Sequence, residues 1–551
     1  MKVERDRRAS AGAAGGLRPA TAGGRPPSRR ALADWAVGAG VVVACAVVQL
    51  AFRQGPQPFD PAKYFRTAVD FPDVPADLWT LRIGLVAPVR LAVLVFGPSE
   101  AALYAVPFAV GLVLAAAVYG TMLLLFGDRL LGALAALVTV LGNDFLLRSS
   151  AILPDTTAAA TFTTGIFFLV LGAGRRGRWP PAASAACAGL LFGWTYLIRE
   201  FSPILLPAVA VTFVLLRYPL RRVAVVAGAA LAAASLELVY GAVRHGDAFI
   251  HSRMLLTRED RPAGEGAGLA LVREQLDGLL DTLAVFPRLV LAWDSGWAVL
   301  LLVAIFATAL ATRFRERRLW LLGAWFLSFW LTMALLGLAS LPSGRWLLNV
   351  TSVRYWLPLF PALAMGAFAG IAFLFRGRVK VLGVSGAHAA AVALAGLVLG
   401  PGLVDFGRCA DRQPWPNDPA ERWHDLRSWL AGSEAERFDL LWTDRDTFRL
   451  LPAYTGSWTG ATAELPASGE PEGGLLLVHK DRLTPADQPR LDALRRGRTP
   501  VFASGDGEMI LLAETAAVDG DFSPPPTWWR LDPAVFAAEP GTCGLRPYRP
   551  W

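Results

Sequence analysis

Histidine is scarce, with five in 551 residues. His245 and His251 fall near each other, but no HExxH or comparable metal-ligand spacing appears anywhere. There is no Walker A sequence and no GxGxxG after an expected strand, so the familiar cradles for ATP and dinucleotides are missing. No nucleophile elbow is present either. Charged residues make up only 18% of the chain and cysteines number four. Cys45 and Cys187 fall in apolar runs and read as fillers. No metal and no cofactor is expected from these features.

What is abundant is apolar sequence. Hydrophobic residues make up 54% of the chain, and the mean hydropathy is +0.42. A chain this apolar, yet interrupted repeatedly by Arg, reads as a polytopic membrane protein. The net charge is +8, unevenly spread: from Pro401 onward there are 23 acidic and 16 basic residues, and before it 22 and 37. A basic membrane portion beside a mildly acidic tail argues against nucleic acid as a partner.

Residues 1–30 are rich in Gly, Ala, Pro and Arg and lack an apolar period, which predicts a disordered basic cytoplasmic tail. The run from about Ala31 to Phe52 reads as an uncleaved signal anchor. Further runs near 20 apolar residues, the length that crosses roughly 30 Å of hydrocarbon, fall at 100–126, 130–147, 156–173, 181–198, 201–216, 223–241, 294–312, 319–340, 355–374 and 381–402. The count is about eleven. Alternate connections are Arg-bearing: Gly127-Asp128-Arg129, Arg175 to Arg178, Arg217 to Arg222, Arg313 to Arg318 and Arg376 to Lys380. By the positive-inside bias these face the cytoplasm, which puts the N-terminus inside and the tail outside. The run Leu81 to Phe96 carries Arg82, Pro88 and Arg90. It is expected to be an interfacial amphipathic helix, because counting it as a span would put the Arg clusters outside.

The expected fold class is therefore mostly α: a polytopic helical membrane bundle over 31–402, with outer loops at 53–99, 242–293 and 341–354. Residues 403–551 are expected to form a small extracytoplasmic α/β domain. Cys409 and Cys543 lie in that tail, where oxidising conditions permit a disulfide between them; two free thiols are the alternative.

This topology brings one set of ionisable residues to the outer face: Asp60, Lys63, Tyr64, Asp155, Arg199, Glu200, Arg345, Arg354 and Tyr355. Each has a plain reading. Asp155 would suit as N-cap of a helix starting at Thr156. Asp60 before Pro61 would suit as cap of a short helix. Each Arg could be a snorkelling anchor. A positive set on the outer face, where Arg is otherwise disfavoured, favours function.

The order of these features resembles the membrane glycosyltransferases of the GT-C superfamily, and most closely glycosyltransferase family 39, the protein mannosyltransferase and lipid A aminoarabinose transferase type. The resemblance spans roughly residues 35–400. It rests on Asp60 and Tyr64 in the first outer loop, and on Arg82-Ile83-Gly84 before an apolar run ending Phe96-Gly97. It rests also on Leu153-Pro154-Asp155 opening a later span, and on Ser352-Val353-Arg354-Tyr355-Trp356-Leu357-Pro358 with Pro361. Many members carry Asp-Glu in the first loop; this chain has Asp60-Pro61, so any role of that Glu does not carry over. The resemblance implies a sugar donor carried on a polyprenyl phosphate in the lipid bilayer, an outward-facing site, and a glycan, lipid or protein acceptor. Asp60 and Asp155 would be catalytic, Asp60 as general base. Tyr64, Lys63, Arg199, Glu200, Arg345, Arg354 and Tyr355 would bind substrate. The implied location is the plasma membrane of a bacterium. A transporter or flippase of a lipid-linked glycan is the alternative; it would need charges within the spans and often shows repeated halves.

Overall fold

The computed structural model describes residues 29–51, 60–174, 180–256 except 201, 279–375 except 294–298, 302, 306–316 and 341–352, and 380–515 except 382–383, 411–418, 456–457, 467–470, 481–487, 505–506 and 508. In chain order, the helices that build the membrane portion are α1 (Arg29–Ala51), α2 (Asp60–Asp70), α3 (Ile83–Phe96), α4 (Glu100–Phe126), α5 (Arg129–Leu141), α6 (Asn143–Arg148), α7 (Pro154–Ala173), α8 (Pro181–Ile198), α9 (Leu206–Leu215), α10 (Leu220–His245), α11 (Ile250–Leu256), α12 (Leu279–Trp293), α13 (Arg317–Ser340), α14 (Phe360–Leu374) and α15 (Gly386–Ala410).

Among the described residues, seven helices are long and apolar enough to cross a membrane: α1, α4, α7, α8, α10, α13, and α14 with the 3-10 turn before it. Seven of the eleven expected spans coincide with these. The runs at 130–147, 201–216 and 381–402 contain shorter apolar helices over 129–141, 202–215 and 386–400, and the run at 294–312 lies largely outside the described residues. The 130–147 run is cut because Gly142 takes an extended conformation (ψ 143°) and ends α5. The Leu81–Phe96 run is a helix of 14 residues, short of the roughly 20 that span hydrocarbon. Leu91, Leu94, Val95 and Phe96 leave it an exposed apolar side.

Contacts between helix termini give the bundle two distinct ends. At one, Asp155 in the first turn of α7 meets Arg199 just past the end of α8. At the other, Arg129 at the start of α5 meets Asp34 near the start of α1. Arg222 near the start of α10 donates to the Gly172 carbonyl at the end of α7 (2.8 Å). The described Arg-bearing connections, at 127–129 and 217–222, and the paired arginines Arg317 and Arg318 all fall at this second end.

The C-terminal part is a small α/β domain. Its helices are α16 (Pro419–Leu430), α17 (Arg445–Tyr454) and α18 (Gln488–Arg495). After a short ladder of β1 (Lys380–Val381) and β2 (Val384–Ser385), its strands are β3 (Leu440–Thr443), β4 (Ala461–Glu464), β5 (Leu475–His479), β6 (Arg498–Ala503) and β7 (Met509–Glu514). They form one sheet in the order β4-β3-β5-β7-β6, with β3 parallel to β4 and β5, and β7 antiparallel to β5 and β6. The central strands β5 and β7 read Leu-Leu-Leu-Val-His and Met-Ile-Leu-Leu-Ala-Glu and are buried on both faces, as sheet interiors covered on both sides require.

This domain docks on the end that carries Asp155. Tyr64, Phe65 and Ala68 of α2 share one apolar core with Trp423, Leu450, Leu451 and Tyr454. The Arg66 guanidinium lies 5.2 Å from the Phe448 ring centre. Cys543 lies outside the described residues, as does everything past 515, so the disulfide expected with Cys409 falls outside them too.

Candidate functional site

Asp60 opens α2, with Pro61 next to it. Proline suits a helix's first turn, where its missing N–H is not needed. Asp60 does more than end a helix. Its Oδ1 accepts from the Trp79 indole Nε1 (2.9 Å) and its Oδ2 accepts from Arg354 Nη1 (3.1 Å). Burial raises its carboxyl pKa, but Arg354, the Trp79 N–H and Arg82 together outweigh this and hold it below the usual carboxylate range. It is an anion at neutral pH.

Asp155 does not cap α7. The helix starts one residue earlier, at Pro154, with Leu153 at the cap position and no side chain capping it. The carboxylate is 3% exposed and turns to two guanidiniums instead: Arg199 Nε at 3.2 Å and Arg354 Nε at 3.9 Å. Its Oδ2 is buried and accepts no hydrogen bond from the described residues. Arg354 therefore joins the two acids, which lie on elements 95 residues apart in sequence. Arg354 also donates to the Tyr355 hydroxyl (2.8 Å). Both Arg199 and Arg354 lie against the Tyr355 ring, at 4.5 and 4.8 Å from its centre, within cation–π range.

A second ion pair stands behind the first. Arg82, just before α3, binds Glu200 in bidentate fashion, Nε to Oε2 at 3.0 Å and Nη2 to Oε1 at 2.6 Å. It also donates to the Tyr64 hydroxyl. Burial raises the Glu200 carboxyl, but Arg82 and Arg199 more than reverse this and bring it down to about 2. Burial pushes the Tyr64 phenol up. This pairing needs α3 to approach α8 closely, and Gly84 permits it: a Cβ there would lie 2.8 Å from the Leu197 and Ile198 backbone. The Trp194 indole donates to the Gly84 carbonyl (3.1 Å) across the same contact.

Beside Asp155 lies a small cleft. Asp155, Arg199, Ser202 and Tyr355 form its polar lining. The rest is apolar, with Ala158, Ile204, Leu205, Phe329, Met333, Leu336 and Pro358. The lining thus combines two charged side chains with a mostly apolar remainder.

No protein-family model matches this chain, and no curated protein sequence does. Solved structures do. The crystal structure of ArnT from Cupriavidus metallidurans in the apo state superposes with a TM-score of 0.54 at 13% identity, covering 89% of this chain and 100% of that one. The structure of the same protein bound to undecaprenyl phosphate gives 0.54 and 13%, with 88% and 99% covered. This chain shares the fold of that protein.

On that fold, the residues singled out from sequence separate into three groups. Asp60, Asp155, Arg199, Arg354 and Tyr355 converge on one point. Glu200 and Tyr64 lie one step back and meet Arg82 rather than open space; Tyr64 is wholly buried. Lys63 pairs with Asp77 (2.7 Å) and stacks 3.6 Å over the Trp79 ring, so it holds the loop that places Trp79 on Asp60. Arg345 lies outside the described residues. Sequence reasoning left Trp79 and Asp77 unassigned, and gave Arg82 no site role. For Arg82 a signal existed: an Arg at the mouth of an apolar helix, if taken out of water, needs an acid to meet its charge.

Proposed function

We propose that this protein is an integral membrane glycosyltransferase of the family 39 type. It moves a sugar from a polyprenyl-phosphate donor to an acceptor hydroxyl at the outer face of the plasma membrane, where the C-terminal domain also lies. The observation that carries the reading is Arg354 bridging Asp60 and Asp155, with Asp155 and Arg199 lining a largely apolar cleft. Its apolar side chains suit contact with an isoprenoid segment and the guanidiniums suit a phosphate, and the structurally similar ArnT has been captured with undecaprenyl phosphate. An outer-face site has no pool of nucleotide sugars, so a lipid-borne donor is the source that chemistry allows.

The step follows from the charges. The acceptor oxygen attacks the anomeric carbon, and the bond from that carbon to the phosphate oxygen breaks. Polyprenyl phosphate leaves with the electron pair, and the acceptor's proton passes to Asp60 as general base. Arg354 and Arg199 are placed to take up charge on the leaving phosphate, with planar forks suited to it. A carboxylate held low by Arg354 is a weak base. Once a donor phosphate shares that guanidinium, Asp60 loses part of the interaction and becomes more basic. Donor binding would thereby prime the base. The unsatisfied Oδ2 of Asp155 offers an acceptor for a substrate hydroxyl.

The test is complementation. A strain lacking the gene receives either the wild type or Asp60→Asn, and its envelope glycans and polyprenyl-phosphate sugars are compared. The expected result is that Asp60→Asn inserts normally, fails to restore the glycan, and lets the lipid-phosphate sugar accumulate. Undiminished transfer by this variant would remove Asp60 from the mechanism.

A further inference from the structure

At the end of the bundle opposite the site, a wide, open groove is lined by Arg29, Arg30, Ala33, Gly127, Asp128, Arg129, Leu130 and His388. The starts of three helices, α1, α5 and α15, meet there. The carboxylate that lines it and the one beside it are already committed. Asp34, beside the groove, takes Arg129. Asp128 caps α5, accepting from the Leu130 and Leu131 amides at 3.0 and 3.1 Å, and its other oxygen meets His388 Nε2 at 2.8 Å. Arg129 also donates to the Arg30 carbonyl (2.9 Å), which ties the start of α1 to the start of α5. The guanidiniums of Arg29 and Arg30 are exposed, and among the described residues neither makes an ion pair. The groove therefore carries surplus positive charge held in a fixed frame.

Its surroundings are those of a membrane boundary. Leu32 and Trp35, one turn into α1, are 54% and 78% exposed, and Val43, Val47 and Leu50 continue an exposed apolar side down the helix. A Trp at a helix end beside a basic cluster marks the headgroup level, and basic pockets between spans at the positively charged end suit anionic lipid headgroups.

We propose that this groove binds one anionic phospholipid, its phosphodiester on Arg29 and Arg30 and its acyl chains along the exposed side of α1. The ligand class is a diacyl phosphodiester lipid in the leaflet opposite the catalytic site. Free phosphate shares the headgroup chemistry but has no use for the apolar side of α1. The binding site shares no residue with the proposed reaction centre, so either reading can fail alone.

Native mass spectrometry of the full-length protein, released from nanodiscs with equal phosphatidylglycerol and phosphatidylcholine, tests this. Phosphatidylglycerol is expected to be retained at least fivefold over phosphatidylcholine. The double variant R29Q/R30Q is expected to lose most of that preference, whereas R29K/R30K keeps it within about twofold, since charge near the surface dominates such binding. R221Q, at the same end but outside the groove, is expected to leave it unchanged. Equal retention of the two lipids would overturn the proposal, and so would an unchanged R29Q/R30Q or an R221Q effect of equal size. Millimolar inorganic phosphate is the remaining arm. If it displaces phosphatidylglycerol from the wild type, the groove is a free-phosphate site and the lipid assignment falls. If R29Q/R30Q does not insert, the wild-type lipid competition together with R29K/R30K decides.

Discussion

The two ends of the helical bundle use the same residue types in opposite ways. At the Asp60 end, Arg82, Arg199 and Arg354 each lie against at least one carboxylate, and Asp155 and Glu200 are almost wholly buried. At the other end the guanidiniums are exposed or half-exposed, and the ion pair of Arg129 with Asp34 leaves both partners partly open to water. The contrast has a physical cause. An arginine that stays open to water needs no partner, because solvent already meets its charge. One that is taken out of water persists only if its charge is met, because an uncompensated buried charge is costly. Arginines that are buried, paired and clustered at one membrane boundary are therefore a stronger sign of a built site than any number of exposed ones.

The sharpest way to break this comparison is to remove the bridging arginine. Arg354→Gln is expected to lower transfer by about 10²–10³-fold, the cost of losing one preorganised charge-stabilising donor. Membrane yield should be retained. The measurement is turnover of a lipid-linked donor in membranes from the complemented strain. A variant with near-wild-type turnover would make Arg354 a structural pairing like those behind it.

Glu200→Gln probes the pair that stands one layer back. Arg82 would then be left with a neutral partner, and breaking a buried pair on one side typically costs about 3–5 kcal/mol. The sign with pH follows from the low folded pKa. A carboxyl brought down to about 2 in the folded protein contributes stability above its unfolded value of about 4.3, and that contribution is lost as pH falls through the folded value. The stability gap between wild type and Glu200→Gln, followed by thermal unfolding in detergent, should be full at pH 7 and shrink between about pH 4.5 and 2. A gap independent of pH would mean that the loss is one of packing rather than of charge.

Tyr64→Phe is milder. It removes the hydroxyl that accepts from Arg82 but leaves the Arg82–Glu200 bidentate contact intact. A stability loss of about 1–2 kcal/mol is expected, the range for a buried hydrogen bond to a charged group. Turnover should fall by no more than about tenfold, because Arg82 reaches the acids only through its field at Asp60. A loss as large as that of Arg354→Gln would place Tyr64 on the substrate.

How much of this was legible in the sequence depends on the range of the interaction that decides it. The apolar runs and the alternating Arg-bearing connections are local, and they place α1, α4, α7, α8, α10, α13 and α14 where the structure has them. Convergence of Asp60, Asp155, Arg199 and Arg354 could be expected from topology, because parity of crossings puts all four at one end. The choice of partner could not. Arg199 and Glu200 are neighbours in sequence, yet one turns to Asp155 and the other to Arg82. That split depends on how closely α3 lies against α8 at Gly84, a packing detail with no sequence period. Trp79 was equally hidden, since its role depends on where Lys63 and Asp77 hold its loop. Runs of apolar residues do not show where a helix stops, so the shorter apolar helices over 129–141, 202–215 and 386–400 could not be told from full-length ones. Gly142 ends α5 after 13 residues although the hydrophobic run continues past it.

The smallest expected effect lies at the other end. Asp34→Asn removes the carboxylate that engages Arg129, a pair whose side chains are 24% and 36% exposed. Half-exposed ion pairs contribute about 0–1 kcal/mol, because water screens both charges and two long side chains must be held in place. Arg129 keeps its bond to the Arg30 carbonyl, and Tyr119 keeps its bond to the Asp34 backbone carbonyl, so the junction of α1 with α4 and α5 survives the change. Thermal unfolding in detergent should move by less than a few degrees, and transfer should be unaffected, since no contact links this pair to Asp60 or Asp155. A loss comparable to that of Glu200→Gln would show that burial by the surrounding bilayer makes this pair as costly to break as the one beside the site, and the two ends would then differ in geometry but not in energy.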